Sequence, residues 1–367
     1  MLERPELAAW LRLLETPEIG RASARRLLTL AGSLEAALEL ADARLCEALD
    51  DAQLKAWRAG PPDFDALVDR SWAWLQADAG HDVLVLGDPD YPAPLLQTAD
   101  PPLLLWLHGR RELLGRTMLA IVGSRSPTAQ GADNARAFAG ELAAAGLLIA
   151  SGLALGVDGA AHEGALARGE PTLAVVGTGL DRIYPRTNAK LWRRIATEGL
   201  IVSEYGLGTP PLAPNFPRRN RILAGMARGC LVVEAALQSG SLITARLAVE
   251  AGREVYAIPG SIHSPQSRGC HALIRQGAKL VETAADVLEE LPAAPTAPRH
   301  GTVNPAPLAA GPQRVLDRMG FDPVSFDDLL ARATGTPEEL SAWLLELELD
   351  GRVARLAGQL FQRRASA

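Results

Sequence analysis

Three arginines, Arg218, Arg219 and Arg221, stand within four positions in the stretch NFPRRNRILAG. Guanidinium groups bind phosphate oxygens in a bidentate manner, and the free N–H groups at a helix start also attract anions. Pro217 favours a helix start here, because its missing N–H is not needed in the first turn. The stretch therefore predicts a phosphate-binding site at the N-terminus of a helix.

Four further turns carry small or polar residues where an apolar strand pattern changes to a helical one. Glycine lets a ligand approach the backbone closely, although each turn taken singly is equally well explained by helix capping. Several such turns at successive strand ends predict one shared edge that binds phosphates. The residues that we select in these turns are Gly123, Ser124, Arg125, Ser151, Gly152, Gly177, Gly179, Asn188, Ser239 and Gly240.

Four titratable side chains near these turns are candidates for catalysis. Asp158 and His162 share a helix face, but their spacing better suits a capping aspartate and a histidine bonded to local backbone. Glu204 suits an ion pair with the arginines that follow it, and Glu234 ends a strand pattern. The sequence has no GxxxxGK[ST] motif, no Ser–His–Asp order and no carboxylate pair with an acid–base role. We therefore predict a binding surface without catalytic residues.

Tyr184 and Asn188 admit two interpretations. Tyr184 can stack on a base while Asn188 bonds to sugar or phosphate, or Tyr184 can pack on its own loop while Asn188 caps the next helix. Aromatic residues make up only 5% of the chain, so we expect stacking to contribute less than phosphate contacts.

The chain has 367 residues and a formal net charge of −6, which argues against coating of nucleic acid by the whole surface but allows a local basic groove. Its cysteines, Cys46, Cys230 and Cys270, form no CxxC pair, so we expect no zinc site, no disulfide framework and no metal or cofactor. The amphipathic N-terminus and the absence of a long apolar run predict a soluble, cytoplasmic protein with no membrane association.

The elements that position these residues fall into regions with different patterns. Residues 1–78 show short amphipathic helices, and residues 79–291 alternate apolar strands with alanine-rich helices. A Pro/Ala-rich linker follows at 292–311, and residues 312–367 have the helix and strand order of a winged helix. The predicted fold class is α/β, with an extended Rossmann-like, mostly parallel sheet covered by helices on both faces, between an all-α N-terminal domain and a C-terminal winged helix.

The sheet region is predicted to contain nine strands, several of which end in glycine or a small polar residue, as ligand-binding Rossmann-like sheets do. The predicted strands are DVLVLG, PLLLWLHG, TMLAIVGS, LLIASG, TLAVVGTG, LIVSEY, CLVVEA, EVYAIPG and AKLVE.

A set of motifs in residues 80–291 resembles, in order and without a gap, the motifs of the DNA-processing protein A family, also called DprA or Smf. Many family members carry an N-terminal helical SAM-like domain and a C-terminal winged helix, which fits the flanking regions here. The motifs are VGSR, SGLALGVDGAAH, VVGTGLDRIYP, SEY, NFPRRNRILAG, VVEAALQSGSLITA, AIPG and SRGCHALIRQGAKL.

This resemblance implies a non-enzymatic protein that binds and protects single-stranded DNA and forms a homodimer. It also implies that the protein helps to load the RecA recombinase onto strands covered by single-strand-binding protein, in natural transformation and DNA repair. Arg218 would be an auxiliary charge. The DNA site implied by position comprises Gly123, Ser124, Arg125, Ser151, Gly152, Gly177, Gly179, Arg219, Asn220 and Arg221.

Three positions depart from the family pattern. Leu155 stands where many relatives have a basic residue, which removes one phosphate contact. His271 replaces an asparagine, with little effect expected on DNA binding. Glu18 replaces the first glycine of a helix-hairpin-helix turn, and because its carboxylate repels phosphate, we expect the N-terminal region to be a structural cap or an oligomer contact.

Two other functions remain open. One is a related Rossmann-like enzyme that cleaves N-glycosidic bonds of nucleotides, with Asp158, Glu204 or Glu234 as catalytic candidates. Such enzymes carry a PGGxGT turn, which is absent here, and QSGSLITA is its nearest counterpart. The other is a nucleotide-sensing module without catalysis.

The helix of the winged-helix region that would enter a major groove, TPEELSAWLLELELDG, has no basic residue. A helix that reads a groove needs basic or amide donors toward phosphates and base edges. We therefore expect protein contact or a passive role for this region. The acidic residues of the helix are Glu338, Glu339, Glu346, Glu348 and Asp350.

A chain that ends at Leu291 should bind single-stranded DNA about as tightly as the full chain, because the helix of the removed region that would enter a groove carries no basic residue. Equilibrium titration of both chains with oligothymidylate measures this. A large loss of affinity on truncation would show that the winged-helix region contacts the strand.

Overall fold

The computed structural model describes residues 2–291, 309–320, 324–332, 335–350, 352–356 and 359–363. Residues 292–308 of the predicted linker lie outside this part of the chain, and the next helix begins at Ala310. Six helices precede the sheet: α1 (Arg4–Glu15), α2 (Arg21–Ala31), α3 (Leu34–Glu39), α4 (Asp42–Leu45), α5 (Asp51–Ala59) and α6 (Phe64–Ala77).

The N-terminal helices bury their apolar faces, as their sequence patterns predict. Leu7, Leu11, Leu27 and Trp57 are all buried. Glu18, in the turn between α1 and α2, has a φ of 65°, a left-handed conformation that glycine adopts at lower cost. Glu18 therefore occupies a glycine-type position, as the comparison with the helix-hairpin-helix pattern suggests.

One sheet contains strands at all nine predicted places. Their bounds are β1 (His81–Val85), β2 (Leu104–Gly109), β3 (Met118–Val122), β4 (Leu148–Ser151), β5 (Thr172–Val176), β6 (Leu200–Ser203), β7 (Gly229–Val232), β8 (Glu254–Ala257) and β9 (Lys279–Leu280).

The strand order is β1-β2-β6-β5-β4-β3-β7-β8-β9. The pairs from β6 through β9 are parallel, and β2 pairs antiparallel with β6. The chain therefore leaves β3, β4, β5, β6, β7 and β8 at the same edge of the sheet, which we call the carboxyl edge. Ligands bind at such edges in open α/β sheets.

Helices cover the sheet, which confirms the predicted fold class. Every residue of β3 and of β5 is buried, as expected for parallel strands covered on both faces. The helices of this region are α7 (Ala93–Leu96), α8 (Ala129–Ala144), α9 (Val157–Ala167), α10 (Ala189–Glu198), α11 (Asn215–Met226), α12 (Gly240–Glu250), α13 (Arg268–Arg275) and α14 (Ala284–Leu288).

Helices α8 and α9 pack against each other at unusually short range, because glycines stand at the contact. A Cβ added to Gly164 would lie 2.3 Å from the carbonyl oxygen of Arg136, and one added to Gly140 would lie 3.3 Å from the carbonyl oxygen of Gly164. This contact fixes the position of α9, whose first turn reaches the carboxyl edge.

The C-terminal region has the predicted winged-helix order and its own core. Val315, Leu329, Leu344 and Phe361 are buried in that core. Its elements are α15 (Ala310–Met319), β10 (Val324–Ser325), α16 (Phe326–Arg332), α17 (Pro337–Leu349), β11 (Val353–Leu356) and β12 (Leu360–Arg363), with strand order β10-β12-β11.

Among the residues that the structure describes, no helix has the length and apolar character needed to cross a membrane.

Replacement of Gly164 by alanine should lower the free energy of unfolding by about 1–3 kcal/mol, because a methyl group has no room beside the backbone of α8. Chemical denaturation of the two proteins measures the difference. Gly115→Ala is the matched control, since a Cβ there would meet no atom within 4 Å. Equal stability of Gly164→Ala and the wild type would show that the helices can separate freely.

Candidate functional site

The turns at the carboxyl edge surround a cavity of about 530 Å³ beside the start of α11. A second, smaller cavity lies next to it, and the two share Arg125, Phe216 and Arg219 in their walls. The predicted residues that line the larger cavity are Gly123, Ser124, Arg125, Arg219, Asn220, Ser239 and Gly240. Those that line the smaller one are Arg125, Gly152, Gly177 and Arg219.

Arg219 is only 4% exposed and braces the site from within. Its Nη1 donates hydrogen bonds to the carbonyl oxygens of Gly152, at 2.7 Å, and of Val175, and its Nε donates to Oδ1 of Asn220 at 3.0 Å. A Cβ on Gly152 would lie 2.3 Å from Nη2 of Arg219, so glycine makes room for the guanidinium. Arg219 thus joins the end of β4 to β5, and most of its hydrogen-bonding capacity is used inside the protein.

Asp158 is the buried counter-charge to Arg219. Its Oδ2 accepts hydrogen bonds from the backbone N–H groups of Gly152, at 3.2 Å, and Ala154, at 3.3 Å. Burial raises the pKa of Asp158, while the charge of Arg219 and the two N–H groups act to lower it. The aspartate therefore holds the loop after β4 and lines the larger cavity, but it does not cap α9, whose N-cap residue is Gly156 without a side-chain hydrogen bond, so the capping interpretation is wrong.

His162 lies on the same face of α9 but is fully buried. Thr172 Oγ1 donates to the carbonyl oxygen of Ile149, so it accepts the 2.7 Å hydrogen bond from His162 Nδ1. The ring is therefore the neutral Nδ1–H tautomer, and among the described residues its Nε2 has no partner. Burial lowers the pKa of His162 to about 3, with Arg219 adding to the effect. His162 thus bonds to a side chain of β5, not to local backbone, and has no contact with the cavities.

Arg221 is committed to two carboxylates. Its Nη2 pairs with Glu204, its Nε lies 3.3 Å from Oδ2 of Asp100, and Nη1 donates to the Asp100 carbonyl oxygen at 2.6 Å. Arg221 is not in the wall of either cavity. Arg218 is the exposed arginine of the three and lines neither cavity, whereas the buried Arg219 lines both.

Arg125 lies exposed at the end of β3, with its guanidinium carbon 5.8 Å from the ring centroid of Phe216. Tyr184 also packs against the Phe216 ring, with the two ring centroids 5.4 Å apart, and is 42% exposed. We call Arg125, Tyr184 and Phe216 the aromatic platform. Phe216 was absent from the predicted site, although an aromatic residue directly before a basic cluster is a usable signal for base stacking.

The backbone around Ser124 is shaped by Glu234. The N–H of Ser124 donates to the Glu234 carbonyl oxygen at 2.7 Å, and the Glu234 carboxylate accepts from the N–H of Thr128 at 2.9 Å, at the start of α8. A Cβ on Gly123 would lie 2.7 Å from Val157, so this glycine is required by packing. Glu234 thus holds Thr128, the residue whose side chain caps α8, and Arg125 is the cation of this turn.

Other predicted residues also position the loops. The Ser151 hydroxyl is fully buried and donates to the Ile121 carbonyl oxygen at 2.6 Å, which corrects the expectation that it meets a ligand. Asn188 Nδ2 donates to the carbonyl oxygens of Leu153 and Ala154 at 3.0 and 3.1 Å, and its side chain makes no capping hydrogen bond to α10, so the capping interpretation is wrong. The backbone N–H of Gly179 donates a hydrogen bond to the carbonyl oxygen of Thr209, in the loop after β6, at 3.1 Å.

The start of α12 faces the larger cavity. Ser239 caps the helix, and its Oγ accepts from the N–H of Ser241 at 3.3 Å. Gly240 is exposed, and nothing lies within 4 Å of an added Cβ. Unlike the other glycines of the site, Gly240 leaves open space at a helix N-terminus, where an anion is favoured.

The site combines exposed arginines, a helix N-terminus and an aromatic platform, while Asp158, Glu204 and Glu234 are each held by internal partners. Within the described residues, no cluster of three or more His, Cys, Asp or Glu could hold a metal. The fold and the site together define an α/β protein whose carboxyl edge brings cationic side chains, aromatic rings and a helix start together.

Comparison with known proteins narrows this class. The chain belongs to the family of DNA recombination-mediator protein A, whose model matches residues 82–292. The model of the DprA winged helix domain matches residues 292–359.

Individual relatives agree with this assignment. Protein Smf of Escherichia coli is 43% identical over 300 residues, which is 79% of each chain. The X-ray structure of DNA processing protein A from Streptococcus pneumoniae superposes with a TM-score of 0.64 at 37% identity, covering 78% of this chain and 98% of that one. DNA processing protein A from Helicobacter pylori, whose structure concerns a single-stranded DNA binding mode, gives a TM-score of 0.52 at 32% identity, over 57% of this chain and 95% of that one.

Arg219→Ala should lower the melting temperature of the sheet region by roughly 10 °C, because removing one partner leaves the buried Asp158 carboxylate without its counter-charge, at about 3–5 kcal/mol. Arg218→Ala is the matched control and should melt like the wild type, since Arg218 is exposed. Thermal unfolding followed by circular dichroism compares them. Equal melting temperatures for the two variants would contradict the bracing role of Arg219.

Stability should fall as the pH decreases from about 6.5, because the unfolded chain protonates His162 near its ordinary pKa while the folded protein does so only at about 3. This histidine contributes up to about 1.4 kcal/mol per pH unit in that window. His162→Asn keeps a donor toward Thr172 and removes the titration, so its stability should depend less on pH. Denaturant titrations at several pH values between about 7 and about 5 measure the free energy of unfolding of both proteins. The same dependence of this free energy on pH in both proteins would contradict a buried neutral His162.

Proposed function

We propose that this protein binds single-stranded DNA along the carboxyl edge of its sheet. The observation that carries the proposal is the exposed Arg125 beside Tyr184 and Phe216, at the mouth of two adjoining cavities. A cation next to aromatic faces provides the two contacts that a flexible strand uses, one to phosphate and one to base. The single-stranded DNA binding named for the Helicobacter pylori relative supports the same function here.

Phosphate contacts come from few cations on an otherwise acidic chain. Arg125 and Arg218 are exposed, and among the described residues neither forms a hydrogen bond or an ion pair with another side chain. The open helix start at Gly240 offers a third anion site by backbone N–H groups. Binding should therefore be salt-dependent and largely independent of sequence. Arg219, Arg221, Ser151 and Asn188 act indirectly, by holding the loops that carry these contacts.

Within this proposal the protein is a recombination mediator and not an enzyme. It protects an incoming strand, helps to load RecA in natural transformation and DNA repair, and contacts strands covered by single-strand-binding protein as a homodimer. Family membership supports these roles. The three carboxylates that an N-glycosidic hydrolase could use already have partners, which supports a non-catalytic site. Asp158 and Glu234 accept hydrogen bonds from backbone N–H groups, and Glu204 pairs with Arg221.

Arg125→Ala should weaken binding to oligothymidylate at least tenfold and reduce the slope of log affinity against log salt by about 0.7, the value for one lost phosphate contact on a single strand. The measurement is a fluorescence titration of the strand at several salt concentrations. Wild type should prefer the single strand to its duplex and should bind mononucleotides weakly, because only a strand spans several contacts.

Arg110→Ala is the matched control. Arg110 is an exposed arginine directly after β2, and because β2 is antiparallel to β6 it lies at the opposite edge of the sheet. This variant should bind like the wild type. Equal losses for Arg125→Ala and Arg110→Ala would place the strand elsewhere, and tight mononucleotide binding with release of the base would favour the N-glycosidic enzyme.

A further inference from the structure

Five large apolar side chains are exposed on loops at the carboxyl edge, between 42% and 74% of their surface. Each follows a different strand of the sheet. A single exposed leucine needs no explanation in a folded protein, but one on each of five strand-end loops is a pattern. These residues, which we call the apolar row, are Leu155 after β4, Tyr184 after β5, Leu212 after β6, Leu237 after β7 and Ile262 after β8.

The strand order arranges the apolar row along the edge. Because β6, β5, β4, β3, β7 and β8 are consecutive in the sheet, the loops follow one another as Leu212, Tyr184, Leu155, Arg125, Leu237 and Ile262. Neighbouring strands lie about 4.8 Å apart, so six strand ends span about 24 Å. A stacked nucleic-acid strand advances about 3.4 Å per nucleotide, so this length corresponds to at most about seven nucleotides.

The cationic groups that lie among the apolar side chains favour a nucleic-acid strand over a protein as the binding partner. Arg125 stands in the middle of the apolar row, and the start of α12 lies in the wall of the larger cavity at the same edge. Arg218, exposed near the start of α11, adds a further cation. Leu155 and Tyr184 share the smaller cavity with Arg125 and Phe216, so apolar and cationic groups meet in one wall. A single strand offers the matching alternation, since apolar base faces project from a chain of phosphates.

We infer that the apolar row contacts the bases of a bound single strand, while the arginines contact its phosphates. This inference rests on the proposed function and deepens it. The affinity then has two parts, one that depends on phosphates and falls with salt, and one that depends on bases and persists at high salt. Leu155, which stands where a basic residue was expected, exchanges a phosphate contact for a base contact.

The test compares two strands of about 16 nucleotides, oligothymidylate and a fully abasic strand with the same number of phosphates. The protein variant carries Leu155→Ser, Leu212→Ser, Leu237→Ser and Ile262→Ser together. Tyr184 is retained because its ring packs on Phe216. The matched control is Val249→Ser, which changes a 62% exposed apolar residue at the far end of α12 from the cavity.

The wild type should bind oligothymidylate at least fivefold more tightly than the abasic strand, and the difference should remain as salt increases. The fourfold variant should lose most of this preference while its affinity for the abasic strand and its melting temperature stay unchanged, and Val249→Ser should behave as the wild type.

An unchanged preference for oligothymidylate in the fourfold variant would overturn the inference and leave the proposed function intact. Equal binding of both strands by the wild type would overturn the inference and also the base contact at the aromatic platform, while binding of the strand by its phosphates would remain. The apolar row would then be a surface for another protein. Failure of the wild type to bind either strand would instead refute the proposed function, so the two failures are distinguishable.

Discussion

The buried ion-and-carbonyl network of Arg219 is the interaction on which the rest of the site depends. A guanidinium at 4% exposure requires partners for its charge and its donors, because an unmatched buried charge costs several kcal/mol. Asp158 supplies the charge, and the carbonyl groups of Gly152 and Val175 supply the acceptors. The loop after β4, the strand β5 and the start of α11 are thereby held together.

Because of this network, the arginines of the site fall into two groups, internal supports and exposed cations. Because Arg219 holds the loops and Arg221 holds Glu204 and Asp100, the motif positions two of its three cations as internal supports. The supports leave Arg125 and Arg218 exposed at the rim and keep Phe216 under Arg125. A rigid edge with few exposed cations can hold a strand by its phosphates while its loops meet the bases.

The sequence predicted the fold well because the relevant signals are local. Apolar runs alternating with helical patterns located all nine strands. The stretch NFPRRNRILAG predicts a helix start at Pro217, and α11 begins two residues earlier, at Asn215, so that the proline still falls in the first turn. Such small differences arise because helix ends depend on capping contacts more than on periodicity.

The site was predicted less well because burial is decided by tertiary packing. Arg218, Arg219 and Arg221 are chemically identical in the sequence, and only the partners Gly152, Asp158 and Glu204, which are distant in the chain, separate the internal residues from the exposed one. Ser151 and Asn188 looked like ligand contacts because their own turns are polar, but both satisfy backbone carbonyl groups. The bonds of Glu234 to Thr128 could be recognised only once β7 was placed beside β3.

The most direct test of the account is a crystal structure of the protein with a bound oligothymidylate. We expect phosphate oxygens within about 3 Å of guanidinium nitrogens of Arg125 and Arg218, with a base against the aromatic platform. A strand bound on another surface, with the carboxyl edge unoccupied, would contradict it.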